Sequence, residues 1–219
     1  NNMRIAFLLS AASLVAIASP AIAQEHATKA SKSDIVVTGT LTVEAAEKDI
    51  EQTPGGVALV SAADFRDTPV KNIKDILEYV PGIIVQPRMG DDARVSVRGS
   101  GLSRAYGNRG IAMYIDGIPL NTSDGLLDFF EIDPSAYQYV EVYKGANALR
   151  YGANALGGAI NLVTPTGRDA SALAGRFDTG SFGYVKGQVS TGGVSGSLDY
   201  FATVSAQSID GYREHSDGN

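Results

Sequence analysis

From residue 170 onward the chain carries a period of two. Phe177, then Val185 and Val189, then Leu198, Tyr200, Ala202 and Val204 mark three alternating segments. Arg176, Asp178, Lys186, Gln188, Asp199, Thr203 and Ser205 occupy intervening positions. Successive side chains of a strand point to opposite faces, so this pattern predicts strands with one apolar and one polar face. Gly180-Ser181-Phe182-Gly183 and Gly192-Gly193 are the predicted turns. Segments of about 10 residues with this dyad fit strands of a membrane-spanning barrel, apolar toward lipid and polar toward the lumen. A soluble antiparallel sheet with one wet face has the same alternation. Three strands cannot close a barrel, and lipid does not tolerate an open sheet edge. The expectation is therefore a piece of a longer gene product.

The other end of the chain reads as a targeting segment. Arg4 precedes residues 5–17, which are apolar apart from Ser10 and Ser13, and Ala21-Ile22-Ala23 is a small-x-small cleavage site. Residues 1–23 are predicted to be a signal peptide, with the mature chain starting at Gln24. The apolar run falls short of the roughly 20 residues a spanning helix needs, and Pro20 closes it. An exported protein of this kind meets a membrane as a β-barrel. Residues 24–50 are mostly small, polar and acidic and read as a flexible tether. Within it Asp34, Ile35, Val36, Val37 and Thr38 form one short β-prone run.

Residues 51–167 read as the globular part. Val57 to Val60 is a short apolar strand. Thr68-Pro69 predicts a helix start, with Thr as N-cap and Pro at the first helical position. Ile73, Ile76, Leu77 and Val80 then give one apolar helix face, closed by Pro81-Gly82. Residues 83–85 and 95–97 are strand-like. Residues 111–115 and 118–120 flank Asp116-Gly117, a tight-hairpin signal. Asp133-Pro134 predicts another short helix. Val140 and Val142 alternate with Glu141, and residues 159–164 form a last strand. Strands and helices are interspersed without a regular βαβ repeat, so the predicted fold class is α+β, a small mixed sheet with short helices, followed by antiparallel strands over 168–219.

Composition narrows the function. The formal net charge is −6 and the pI about 4.9, which argues against a nucleic-acid binder. There is no cysteine and there are only two histidines, His26 and His215, both in polar stretches. Thiolate chemistry, a histidine zinc site and a Ser/His/Asp triad are poorly supported. Asp91-Asp92 has no accompanying base or nucleophile. The glycine-rich stretch after Lys144 lacks the Gly-Lys-Ser/Thr end of a phosphate loop. No enzyme and no cofactor is expected.

The segment from Val140 to Gly167 resembles the C-terminal signature of TonB-dependent receptor plugs. The matching residues are Lys144-Gly145, Tyr151-Gly152, Gly157-Gly158 and Ile160-Asn161-Leu162-Val163-Thr164. Upstream, Val97-Arg98-Gly99, the hairpin Tyr114-Ile115-Asp116-Gly117-Ile118-Pro119 and Val80-Pro81-Gly82 match further elements of that family in order. The resemblance implies an outer-membrane receptor of a Gram-negative bacterium that imports a ferric-siderophore-like chelate. A TonB-like periplasmic protein would energise it. Asp34, Ile35, Val36, Val37 and Thr38 would be the TonB box, an extended run able to add to a partner's sheet edge. With so few residues ahead of the box, there is no room for a signalling domain, which implies a plain transporter. The same class with cobalamin, haem, nickel-chelate or oligosaccharide cargo is an alternative, as is a secreted β-rich interaction module.

The resemblance also assigns roles. Arg98 and Arg150 would pair with carboxylates on the inner barrel wall, because a buried guanidinium needs such a partner. Arg104, Tyr106, Asn108 and Arg109, in the loop before the hairpin, would form the floor of the ligand site, with Ser123 and Asp124 in a second candidate loop. Arginine's planar fork suits the oxygens of an anionic chelate.

Overall fold

A computed structural model describes residues 42–88, 90–100, 108–130, 132–152 and 155–211. The expected signal peptide, the run 34–38, Arg104 and Tyr106 lie outside the described residues.

The centre is a five-stranded mixed sheet. Its strands are β1 (Val57–Ser61), β4 (Ile111–Ile115), β5 (Ile118–Pro119), β6 (Tyr139–Lys144) and β7 (Gly158–Val163), in the order β1-β6-β7-β4-β5. Only β4 and β7 run parallel; the other pairs are antiparallel. A separate two-stranded sheet pairs β2 (Ile83–Pro87) with β3 (Ala93–Val97).

One face of the large sheet packs on β2, β3 and two short helices, α2 (Ala62–Phe65) and α3 (Lys74–Leu77). Val60, Val140, Val142, Ile160, Leu162, Ile111 and Met113 meet Phe65, Ile73, Ile76, Leu77, Val95 and Val97 there. Fully burying an aliphatic side chain contributes about 1.5–3 kcal/mol, so this cluster is the principal apolar core. The opposite face is also covered, which is why every residue of β6 and β7 is buried except Lys144, which is half-buried. Strands covered on both faces lose the simple in–out alternation. Glu141, the charged position between Val140 and Val142, is only 8% exposed and accepts a hydrogen bond from Asn161 Nδ2 at 3.0 Å.

The hairpin at Asp116-Gly117 is present. Both residues have positive φ, 51° and 80°, as a two-residue turn with right-handed strand twist requires. Asp116 also clamps the hairpin to the end of β7: its carboxylate accepts from Thr164 N at 2.9 Å and Thr164 Oγ1 at 2.7 Å. Asp133 caps a 3₁₀ turn at Pro134–Ala136, accepting from Ser135 N.

Three expectations are corrected. Residues 43–50, read as tether, belong to a helix, α1 (Val43–Gln52), capped by Thr42 and Thr53. The helix is polar because only Ala46 is buried, against Tyr139 and Val163. Thr68-Pro69 does not start α3. Its start is fixed by Asp75, whose carboxylate accepts from Lys71 N and Asn72 N, and by Asn72 Oδ1, which accepts from Lys74 N. The apolar face at Ile73, Ile76, Leu77 and Val80 is buried as expected. Gly192 and Gly193 are not a turn. They pair with Phe201 and Tyr200 inside a strand, and the turn falls at Gly196, whose φ is 61°.

That strand belongs to a three-stranded antiparallel sheet of β8 (Ala174–Thr179), β9 (Val185–Ser195) and β10 (Leu198–Ser208). Register places Phe177 opposite Gly187 and Val189 opposite Val204 on one face, and Asp178 opposite Lys186 on the other. Phe177, Val189 and Val204 are 71%, 57% and 76% exposed, so the apolar face points outward. Among the described residues no helix is long and apolar enough to cross a membrane.

Candidate functional site: the strand seam and the Arg109–Asp124 loops

The polar face of β8–β10 is fastened to the α+β domain by side chains. Lys186 on β9 is 3% exposed. Its Nζ donates to Asp133 Oδ1 at 2.6 Å and to the Val70 carbonyl at 3.3 Å. Asp133 also accepts from Ser135 N, Ser135 Oγ and, across the seam, Ser205 Oγ. A buried ammonium in this setting needs its carboxylate. Burial alone would raise the Asp133 pKa; the hydrogen bonds from Lys186, Ser135 and Ser205 outweigh it and hold the carboxyl below its ordinary value.

Further contacts extend the seam along the same face. Gln207 Nε2 donates to Asp91 Oδ2 at 2.6 Å, and Arg176 donates to the Thr68 carbonyl at 2.6 Å while pairing with Asp178. Asp91 is shifted in the opposite sense to Asp133, because burial outweighs the pull of Lys71 and the Gln207 hydrogen bond. At the linker into β8, Gly167 N donates to Asp199 Oδ1 at 2.6 Å. A Cβ on Gly167 would lie 2.2 Å from the Gly193 carbonyl oxygen, and one on Gly192 would lie 2.5 Å from Ala170 Cβ. These glycines allow the linker to lie on the strand, which explains Gly192-Gly193 without a turn.

Sequence reasoning missed Asp133 and Lys186. Both left a signal. Asp133 stood out only as a helix cap, and Lys186 is a cation on the inward side of a dyad strand. The expected plug cations lie elsewhere. Arg98, with φ 52°, is exposed. Its guanidinium lies over Gly56, where a Cβ would be 2.4 Å from an arginine nitrogen, and near Gly145. Lys144 is beside it; burial and the Arg98 charge lower the Lys144 pKa. Arg150 stacks over Tyr143 and Tyr151 at 5.0 and 5.7 Å. Among the described residues, no carboxylate forms an ion pair with Arg98 or Arg150.

The ligand-loop set divides. Asn108 is a correction: it is 1% exposed and its amide is consumed internally. Its Oδ1 accepts from Val95 N at 2.8 Å, and its Nδ2 donates to the Ala93 and Leu127 carbonyls. It braces β3 to the chain at Leu127 and presents nothing to a ligand. Arg109 and Asp124 come together, with Arg109 Nη2 3.6 Å from Asp124 Oδ2 and both side chains substantially exposed. Asn121 ties this loop to β4, its Oδ1 accepting from Met113 N and its Nδ2 donating to the Ile111 carbonyl. Ser123 is exposed beside Asp124.

Residues 49–159 match the TonB-dependent Receptor Plug Domain family. The vitamin B12 transporter BtuB of Vibrio vulnificus is 26% identical over 156 residues, covering 71% of this chain and 25% of that protein. The ferric-pyoverdine receptor PbuA of a Pseudomonas species is 28% identical over 163 residues, covering 74% and 19%. A crystal structure of the ferric enterobactin receptor PfeA from Pseudomonas aeruginosa aligns with a TM-score of 0.56 at 19% identity, covering 75% of this chain and 26% of that one. The chain thus spans about a fifth to a quarter of the curated relatives it matches. These relatives are receptors and transporters by name, not enzymes. With the mixed sheet of the plug and the antiparallel strands that follow it, the match establishes that this chain belongs to the TonB-dependent receptor plug-domain family.

Proposed function

We propose that the full-length protein is an outer-membrane receptor that imports a ferric-siderophore-like chelate and draws energy from a TonB-like periplasmic partner. The observation that carries this reading is the seam. A plug domain is fastened through Lys186 and Asp133 to strands whose outward face is apolar and whose inward face is polar. That is the arrangement a plug inside a lipid-embedded wall requires. A secreted interaction module has no use for it, because three strands with an exposed apolar face would be an aggregation hazard in water.

The partner reading rests on Asp34, Ile35, Val36, Val37 and Thr38, and the export reading on residues 1–23. For the cargo, the half-exposed Arg109 of the loop before β4 favours an anionic chelate. The likeness to PbuA, named for ferric-pyoverdine, agrees with this. The likeness to BtuB, named for vitamin B12, supports cobalamin as the second reading.

Titration of the purified full-length receptor with ferric catecholate, ferric hydroxamate, ferric citrate and cobalamin tests the cargo class. The expected result is selective binding of an anionic ferric chelate, and uptake of that chelate only in cells holding the periplasmic partner. Binding of cobalamin alone would replace the cargo, and uptake independent of the partner would overturn the mechanism.

A further inference from the structure

Arg109 and Asp124 are loosely paired. The contact is 3.6 Å, single, and between half-exposed side chains. Arg109 is otherwise under-satisfied, since its Nε is buried and without a hydrogen-bond partner. A guanidinium offers five donors in a fixed fork and binds a carboxylate best through two parallel bonds. Here the carboxylate meets one corner of the fork from beyond good hydrogen-bond distance.

Asp124 uses its two oxygens differently. Oδ1 is occupied by the loop itself, accepting from Thr122 Oγ1 at 2.5 Å and Leu126 N at 3.2 Å. Oδ2 is the oxygen that faces Arg109. The hydrogen bond from the Thr122 hydroxyl, with that from Leu126 N, lowers the Asp124 pKa and keeps it charged. Topology adds a second feature. Arg109 precedes β4 and Lys144 ends the antiparallel-running β6, so both lie at one end of the sheet. Arg98 lies beside Lys144, and Arg150 follows it in the 3₁₀ segment Gly145–Tyr151. Among the described residues at this end, Asp124 is the one acid in an ion pair with an arginine of the expected site.

We propose that Asp124 is a built-in competitor: its Oδ2 occupies the Arg109 fork in the empty receptor, and an oxyanion of the incoming chelate displaces it. Asp124 thereby sets a charge threshold, so that anionic cargo gains the Nη2 corner that Asp124 vacates while neutral cargo finds it taken. This rests on the chelate-import reading given above. Asp124 is a positioning residue acting through Arg109.

Asp124→Asn in the full-length receptor separates the two oxygens, because Asn retains an acceptor for Thr122 and Leu126 while deleting the charge. The probes are a ferric tris-catecholate, ferric citrate and cobalamin, titrated against wild type, Asp124→Asn, Arg109→Ala and the double variant. Asp124→Asn is expected to tighten the anionic chelates by about two- to fivefold, the range of an exposed ion pair. Cobalamin affinity stays unchanged, and the gain vanishes in the Arg109→Ala background. Unchanged or weaker anion binding in Asp124→Asn, with Arg109→Ala still losing affinity, overturns the competitor role while leaving the chelate reading intact. No effect of Arg109→Ala on any anionic probe overturns both, and a gain that persists in the double variant overturns the coupling.

Discussion

Lys186 on β9 and Asp133 ahead of the 3₁₀ turn meet at 2.6 Å across the seam between wall and plug, and Lys186 is almost wholly buried. In this pair the α+β domain supplies the acid and β9 the cation. Removing one partner of a buried pair strands the other charge, at a cost of about 3–5 kcal/mol. Asp133→Asn is therefore expected to loosen the seam strongly. Faster amide exchange over residues 132–137 in the full-length receptor checks this. Lys186→Met should cost less, because Asp133 keeps its bonds from Ser135 and Ser205.

The two seam carboxyls should respond to acid in opposite senses. The folded pKa of Asp133 is lowered, so its contribution is present above the unfolded carboxylate pKa and is lost as pH falls through the folded value. The folded pKa of Asp91 is raised, chiefly by burial, so its charge opposes folding at neutral pH and protonation relieves it. Asp91→Asn is expected to raise stability at neutral pH, and Asp133→Asn to lower it. Carboxyl titration by NMR on labelled receptor should show Asp91 protonating first on acidification.

Asn108→Ala should behave as a core lesion. It leaves the Val95 amide and the Ala93 carbonyl without their partner, and stranding such groups costs about 1–3 kcal/mol each. A fall in the denaturation midpoint is expected. Full stability combined with lost chelate binding would return Asn108 to the ligand site.

Gly167→Ala forces a methyl toward the Gly193 and Tyr200 carbonyls, 2.2 and 2.6 Å from the ideal Cβ position. Overpacking of this kind costs about 1–3 kcal/mol, and the linker should lift from β9–β10. Increased protease sensitivity near residue 167 measures it.

Much of the fold was legible because its signals are local. Asp116-Gly117 announces its hairpin through two adjacent residues, and the face Ile73, Ile76, Leu77 and Val80 repeats within two helical turns. The three two-faced strands follow from alternation, while the outward sense of their apolar face comes from the exposure of Phe177, Val189 and Val204. What was hidden depends on partners far along the chain. α1 buries one alanine, so its polar sequence resembled a tether. The burial of Glu141 was hidden because its cover, and Asn161, arrive from elsewhere. Asn108 looked like a ligand group because its partners Val95, Ala93 and Leu127 are separated from it in sequence. Arg109 and Asp124, chosen separately for their chemistry, proved to be in contact.

The energised-import account is tested most directly at Val36. Proline there removes a backbone donor and restricts the run that, on this account, adds as a strand to the partner's sheet. In cells producing the full-length receptor, chelate binding at the surface and chelate accumulation inside are measured together for Val36→Pro and wild type. The account predicts unchanged surface binding, with accumulation reduced to that of cells lacking the periplasmic partner. Wild-type accumulation in the Val36→Pro receptor would contradict it.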